Sequence, residues 1–252
     1  MSLHEQASRL THSLLGLRFG IVLPATALLG SAALASQAQF IPLGGPPGGT
    51  PMTSIGGVSD EGRVVFGATT TGGVEAFRWT STTGLSGLGV LSGSTFSRAG
   101  ASDRLGQIIA GLSGPSGPLQ MEAVVWDATG APVGLGALQG KDRSVPTDMS
   151  SDGTVVVGTC SQGTSDEAFV WTAATGMLGL GGFPGQPVDS DARGCTADGG
   201  LVVGTSPIGG VEHPFRWTAQ TGMVALPILT GYDAAAALDV SADGSVVVGV
   251  AW

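Results

Sequence analysis

The 252-residue sequence predicts an all-β chain, a propeller-like array of about five four-stranded blades, and three observations carry that expectation. Tryptophan recurs at Trp79, Trp126, Trp171 and Trp217, 45 to 47 residues apart. A glycine that closes a branched apolar run recurs in step with it, at Gly67, Gly111, Gly158, Gly204 and Gly249. Glycine supplies 44 residues and proline 14, which favours short elements and tight turns over helices. A hydrophobic share of 42% against 12% charged residues is the composition of a chain that folds. An open β-solenoid is the alternative architecture for the same strand order.

Taken in order, the chain opens with Arg9 and Arg18, then an uncharged apolar run from Phe19 to Ala35. Small residues follow at the spacing that signal peptidase reads, as Ala33 with Ala35 or Ser36 with Ala38. The expectation is a signal peptide over 1–38, cut after Ala38, and a secreted or cell-surface product. Pro24 and Gly30 interrupt the run, which is shorter than the roughly 20 residues a spanning helix needs. No second apolar span follows, so no membrane span is expected after cleavage.

The remaining 39–252 divide into units of about 52–98, 99–145, 146–191 and 192–237, with a partial unit at 238–252. Each unit holds a turn glycine, Gly62, Gly106, Gly153, Gly199 or Gly244, between two apolar runs. Asp152-Gly153, Asp198-Gly199 and Asp243-Gly244 are expected to form type I′ hairpin turns. A third strand carries Phe77 and Trp79, Val124 and Trp126, Phe169 and Trp171, or Phe215 and Trp217, each pair on one face by alternation. A Thr-Gly turn at Gly84, Gly130, Gly176 or Gly222 then leads to a short fourth strand. These aromatics are the expected core, buried by stacking of neighbouring blades. On that basis Trp171→Ala is expected to cost roughly 3 to 5 kcal/mol. At the ends, Phe40 to Gly56 reads as the tail of a preceding unit, with 40–51 as its body. It would combine with 238–252 to give three strands of a fifth blade, or else the chain is a stretch of a longer array.

The composite pattern of [His/Glu]-[Ala/Pro]-Phe-x-Trp-Thr, Thr-Gly-[Met/Leu], Leu-Gly and Asp-Gly-x-Val-Val-Gly resembles the bacterial extracellular repeat proteins of the HAF family. The resemblance spans about 40–252 and implies export and a propeller-like repeat, without an established activity. His-Ala-Phe itself appears only as His213-Pro214-Phe215, and Leu-Gly becomes Leu226-Pro227 in the fourth unit.

A net charge of −9, with Lys141 the single lysine, excludes a phosphate-binding footprint, and nucleic acid is not an expected partner. His213 is the one histidine beyond residue 38 and lacks a nucleophile elbow, so no catalytic residue is assigned. Asp60 with Glu61, and Asp189 with Asp191, are the close acid pairs. Asp189 to Gly194 is the only stretch with any likeness to a calcium loop, and it lacks the terminal bidentate Glu; no cofactor is expected beyond that weak calcium candidate. Glu75, Glu122 and Glu167 repeat in the third strand, where Arg78 or Arg216 would satisfy them or where they would form an acidic rim. Cys160 and Cys195 either pair or serve as buried apolar residues. The expectation is a secreted, monomeric, non-enzymatic scaffold binding an extracellular polysaccharide or surface protein. The alternatives are a lyase or hydrolase with a central propeller pocket, or a structural segment of a larger surface protein.

Overall fold

The computed structural model describes residues 42–43, 53–70, 73–115 and 120–252. The signal peptide expected over 1–38, and the tail at 40–51 apart from Pro42 and Leu43, lie outside them.

Among the described residues, eighteen strands run in chain order. The first four are β1 (Thr53–Val58), β2 (Val64–Thr69), β3 (Glu75–Thr80) and β4 (Gly84–Gly87). The next four are β5 (Phe96–Ser102), β6 (Ile109–Gly114), β7 (Glu122–Trp126) and β8 (Pro132–Gly134). They are followed by β9 (Arg143–Met149), β10 (Val155–Gln162), β11 (Ser165–Thr172) and β12 (Gly176–Gly179). Then come β13 (Asp191–Cys195), β14 (Val202–Ile208), β15 (Val211–Thr218) and β16 (Gly222–Ala225), and last β17 (Ala235–Val240) and β18 (Val247–Ala251). Each set of four is one antiparallel meander, and β17 with β18 forms a two-stranded fifth sheet. The ladders stay within a unit, which is the blade arrangement of a propeller and not the between-repeat pairing of a solenoid. Residues 53 to 56 therefore belong to the first strand of sheet 1, and the expected tail does not extend to Gly56.

The glycine that closes each Val-rich run is set by a backbone approach. Every first strand bulges by one residue against the second, at Ile55/Gly57, Ala99/Ala101, Ala192/Gly194 and Ala237/Asp239, and beside Pro146 in β9. There a carbonyl points at the glycine opposite. A Cβ on Gly67, Gly111, Gly158, Gly204 or Gly249 would collide with the carbonyl oxygen of Ser54, Arg98, Val145, Asp191 or Ala236 respectively.

The Asp-Gly turns differ from expectation. Gln120 is the only non-glycine with positive φ among the described residues, so Asp152, Asp198 and Asp243 are not left-handed and the turns are not type I′. Instead Gly153 alone is left-handed, at φ 73°, and its N–H donates to the Ser150 carbonyl at 2.9 Å. The aspartate acts through its side chain: Asp152 Oδ1 accepts from the hydroxyls of Ser150 and Thr154 and from the Thr154 N–H. Successive turns are also joined, since Arg104 N–H donates to Ser151, Ser151 to Ala197 and Ala197 to Ala242, at 2.8 to 3.0 Å.

The core lies between sheets. Phe77, Phe169, Phe215 and Trp126 are fully buried, whereas Trp79, Trp171 and Trp217 are half-buried. Volume is shared across each interface: Phe66 of sheet 1 shares a cluster with the smaller Val124 of sheet 2, and Ala110 of sheet 2 shares one with Phe169 of sheet 3. Val157 and Phe215 likewise belong to one cluster between sheets 3 and 4. Val124 thus holds the phenylalanine slot because its neighbour carries the ring, which keeps the packing dense.

Candidate functional site

The repeated polar residues are bonded in the same way from blade to blade. Glu75 Oε1 accepts the Gly89 N–H and Glu122 Oε1 the Gly136 N–H, each at 2.9 Å. The carboxylates of Glu75, Glu122 and Glu167 lie where a Cβ on Gly87, Gly134 or Gly179 would be, so a side chain there would displace the carboxylate. Glu75 and Glu122 are therefore tied to the backbone of their own blade, and no ion pair joins the third-strand acids to Arg78 or Arg216 among the described residues. In the fourth blade His213 replaces the glutamate. Ala225 replaces the first glycine there, and Pro227, which has no N–H to give, replaces the second. All three positions change together because they form one clamp.

A buried serine pins each blade to the next. Ser97 accepts the Ala76 N–H at 2.8 Å and donates to the Gly89 carbonyl at 2.7 Å. Ser144 does the same with Ala123 and Gly136, at 2.8 and 2.6 Å, and Ser190 with Ala168 and Gly181, at 3.0 and 2.6 Å. At the fourth junction Ala235 stands in the serine position and Pro214 in the place of the donating alanine.

Acidity is exposed at the turns. Hydrogen bonds from the hydroxyls of Ser241 and Ser245 and the Ser245 N–H push the Asp243 carboxyl down to about 2. Those from Thr154 and Ser150 lower Asp152, and those from Thr196 and Gly200 lower Asp198. These carboxylates stay charged on one end of consecutive sheets, where Asp198 and Asp243 line an open polar depression.

The remaining candidates are held structurally. His213 is half-buried, with Nδ1 2.9 Å from the Val211 carbonyl. Asp191 accepts the Thr159 hydroxyl at 2.5 Å and pairs with Arg193, while Ser206 donates to the Asp189 carbonyl at 2.7 Å. Glu61, beside Asp60, pairs with Arg104 at 3.0 Å. Among the described residues no group of three or more His, Cys, Asp or Glu is placed to hold a metal ion, the Asp189 to Gly194 stretch included. Cys160 and Cys195 are both free and buried, in different intersheet clusters. Burial raises both thiols, and nearby Asp148 adds to the rise at Cys195.

One acidic feature was not legible in the sequence. Asp148 and Asp239 occupy the position after the bulge in β9 and β17, on either side of Gly194 of β13. Asp148 accepts the N–H groups of Met149 and Cys195, each at 2.8 Å, and Asp239 that of Val240 at 2.7 Å. Burial raises the Asp148 carboxyl. Alignment of the repeat at the bulge glycines would have shown these two aspartates against Gly57, Ala101 and Gly194.

The place where the repeat breaks at several positions at once is the junction of sheets 4 and 5. An open apolar groove of about 310 Å³ runs there, lined by Pro214, Leu226, Pro227 and Leu229 on one side and by β17 and β18 on the other. Leu88, Leu135 and Leu180, the counterparts of Leu226, are buried under the next blade. Phe183, the counterpart of Leu229, is 6% exposed, whereas Leu229 is 67% exposed.

No protein-family model matches the chain, and no curated protein matches it. Solved structures share its fold. A TolB protein from Agrobacterium tumefaciens is 15% identical, over 80% of this chain and 70% of that one, with a TM-score of 0.55. A prolyl endopeptidase is 12% identical, over 75% of this chain and 30% of that one, with a TM-score of 0.54. TolB from Acinetobacter baumannii is 18% identical with a TM-score of 0.49; the chain covers 43% of its length and is matched over 70% of its own. At these identities the likeness is one of fold. Among the described residues no helix is long and apolar enough to cross a membrane.

Proposed function

We propose that this chain is a secreted, non-enzymatic repeat scaffold that binds an extracellular partner through surfaces fixed by stacked blades. One observation carries the reading. Its turn aspartates Asp152, Asp198 and Asp243, the third-strand acids Glu75 and Glu122, and the interface serines Ser97, Ser144 and Ser190 are each committed to the same kind of bond in successive blades, and the large local break in the repeat, at Pro214, Ala225, Pro227 and Ala235, is apolar. A surface of that kind is suited to burying a partner, whereas a reaction centre needs unlike polar groups brought to one point. The resemblance to HAF repeats and the leader-like residues 1–38 support export.

The test is to express the chain with its first 38 residues intact in a bacterial host. The account expects material outside the cytoplasm whose N-terminus is Gln39, and no turnover of peptide, ester or glycan substrates by the purified protein. Retention inside the cell with the leader uncut, or turnover that survives purification, would overturn it.

A further inference from the structure

The first strands of the blades differ most at the residue that the bulge leaves unpaired. That residue is Gly56 in β1, Gly100 in β5, Thr147 in β9, Arg193 in β13 and Leu238 in β17. Thr147 Oγ1 donates to the Ala192 carbonyl of the next blade at 2.9 Å, and Arg193 pairs with Asp191. Gly56 is glycine for want of room, because a Cβ there would lie 2.3 Å from the Ala99 carbonyl oxygen. Gly100 has no such reason. A Cβ on it meets nothing within 4 Å, and its φ is outside the left-handed region. The space beside it is a hollow of about 280 Å³ where sheets 1, 2 and 3 meet, lined among others by Ile55, Arg98, Leu112 and Pro146.

Arg98 is the charged group of this hollow. By register it is the counterpart of Asp191, since Ala99 faces Gly111 as Ala192 faces Gly204. Asp191 is satisfied twice, by the Thr159 hydroxyl of the preceding blade and by Arg193. Around Arg98 the same two positions hold Ala68 and Gly100, neither of which has a polar side chain. Arg98 is exposed, and among the described residues its side chain makes no hydrogen bond or ion pair. The sequence offers it little else, because residues 1–41, 44–52, 71–72 and 116–119 contain a single acid, Glu5.

We propose that this hollow binds a small monocarboxylate with an apolar body. The Arg98 guanidinium takes the carboxylate with two parallel N–H donors, the planar match that arginine makes and lysine does not. Ile55, Leu112 and Pro146 flank the apolar body, and Gly100 lets it approach the backbone of β5. One guanidinium among apolar walls matches one negative charge, which selects a carboxylate over a phosphate dianion. The site is formed by other sheets than the apolar break at sheets 4 and 5, and it does not depend on the scaffold reading.

The experiment is isothermal titration of the full chain with benzoate, 3-phenylpropionate and hexanoate, and with 3-phenylpropionamide as the uncharged control. The expected result is saturable binding of at least one of the acids, with the amide weaker than its acid by about tenfold or more. Arg98→Gln, at an exposed position, should weaken the acid by about tenfold or more. Gly100→Leu installs the residue that β17 carries at this place; it should abolish binding while circular dichroism shows the chain still folded. No saturation by any of the three acids below about 10 mM overturns the proposal. So does an affinity that Arg98→Gln and Gly100→Leu both leave unchanged, because the acid would then bind elsewhere on the protein.

Discussion

The junction of sheets 3 and 4 and the junction of sheets 4 and 5 are built from the same repeat and end in opposite states. The first buries nine residues, among them Val157, Leu180, Phe183 and Phe215, and is pinned by Ser190. The second buries Val203, Ala237 and Val240 beside an open groove, and has alanine and proline where the pin would be. The difference shows which strand makes a blade stick. First and second strands are present at both junctions; among the described residues the second junction has no aromatic third strand. A blade seals against its predecessor by delivering the large side chains of its third strand, Phe215 with Trp217 in sheet 4 and Val124 with Trp126 in sheet 2, and the Val-rich strands are the surface on which they are mounted.

The largest expected effect comes from removing a ring at the closed junction. Phe215→Ala should cost about 3 to 5 kcal/mol and lower the melting temperature accordingly, whereas Leu229→Ala in the groove should stay within about 0.5 kcal/mol. Comparable losses from the two would break the contrast. Trp126→Ala belongs with Phe215→Ala because Trp126 is fully buried, and Trp171→Ala should cost clearly less than Trp126→Ala because Trp171 is half-buried. That lowers the expectation drawn from sequence for Trp171.

Next in size is the serine pin. Ser144→Ala leaves the Ala123 N–H and the Gly136 carbonyl without this buried partner and should cost about 1 to 3 kcal/mol in urea unfolding. Ala235→Ser should bring no stabilisation, since Pro214 has no N–H to donate. A gain there would mean the pin does not work through that donor.

The glutamate clamp is a smaller and sharper case. His213→Glu alone should be neutral or harmful, while His213→Glu with Ala225→Gly and Pro227→Gly should recover on the order of 1 kcal/mol relative to the single change. The smallest effect is in pH. Asp152, Asp198 and Asp243 have lowered folded-state values, so their contribution is present above the unfolded carboxyl range near 4 and is lost as pH falls toward about 2. Asp148 acts in the opposite sense: its raised value favours the folded state at low pH, an advantage lost as pH rises through it. Replacing the three turn aspartates by asparagine should flatten the fall of the melting temperature between pH 4 and 2. An unchanged profile would remove the side-chain account of these turns.

The period, the strand order and the aromatic third strand were legible because each is a local pattern repeated at one spacing. The inner-strand bulge was not, since it appears in the sequence only as the glycine facing it, and Gly158 reads equally well as the end of a strand. The turn type was misjudged because Asp-Gly signals the same residues whether the aspartate supplies a φ angle or a side-chain acceptor. The serine pins were missed because each joins two blades, as Ser97 reaches Ala76 across 21 residues. Their recurrence at Ser97, Ser144 and Ser190, in step with the tryptophans, was the available signal. The linked change at His213, Ala225 and Pro227 appeared as scattered departures from the pattern until the clamp joined them.

Amide hydrogen exchange, followed by mass spectrometry on the full chain, tests the central claim most directly. If closure of a blade depends on its aromatic third strand, amides of β14 should exchange only with global unfolding, and amides of β18 should exchange orders of magnitude faster by local opening. Equal protection of the two strands would show that the fifth sheet is sealed without a third strand, and would contradict the account.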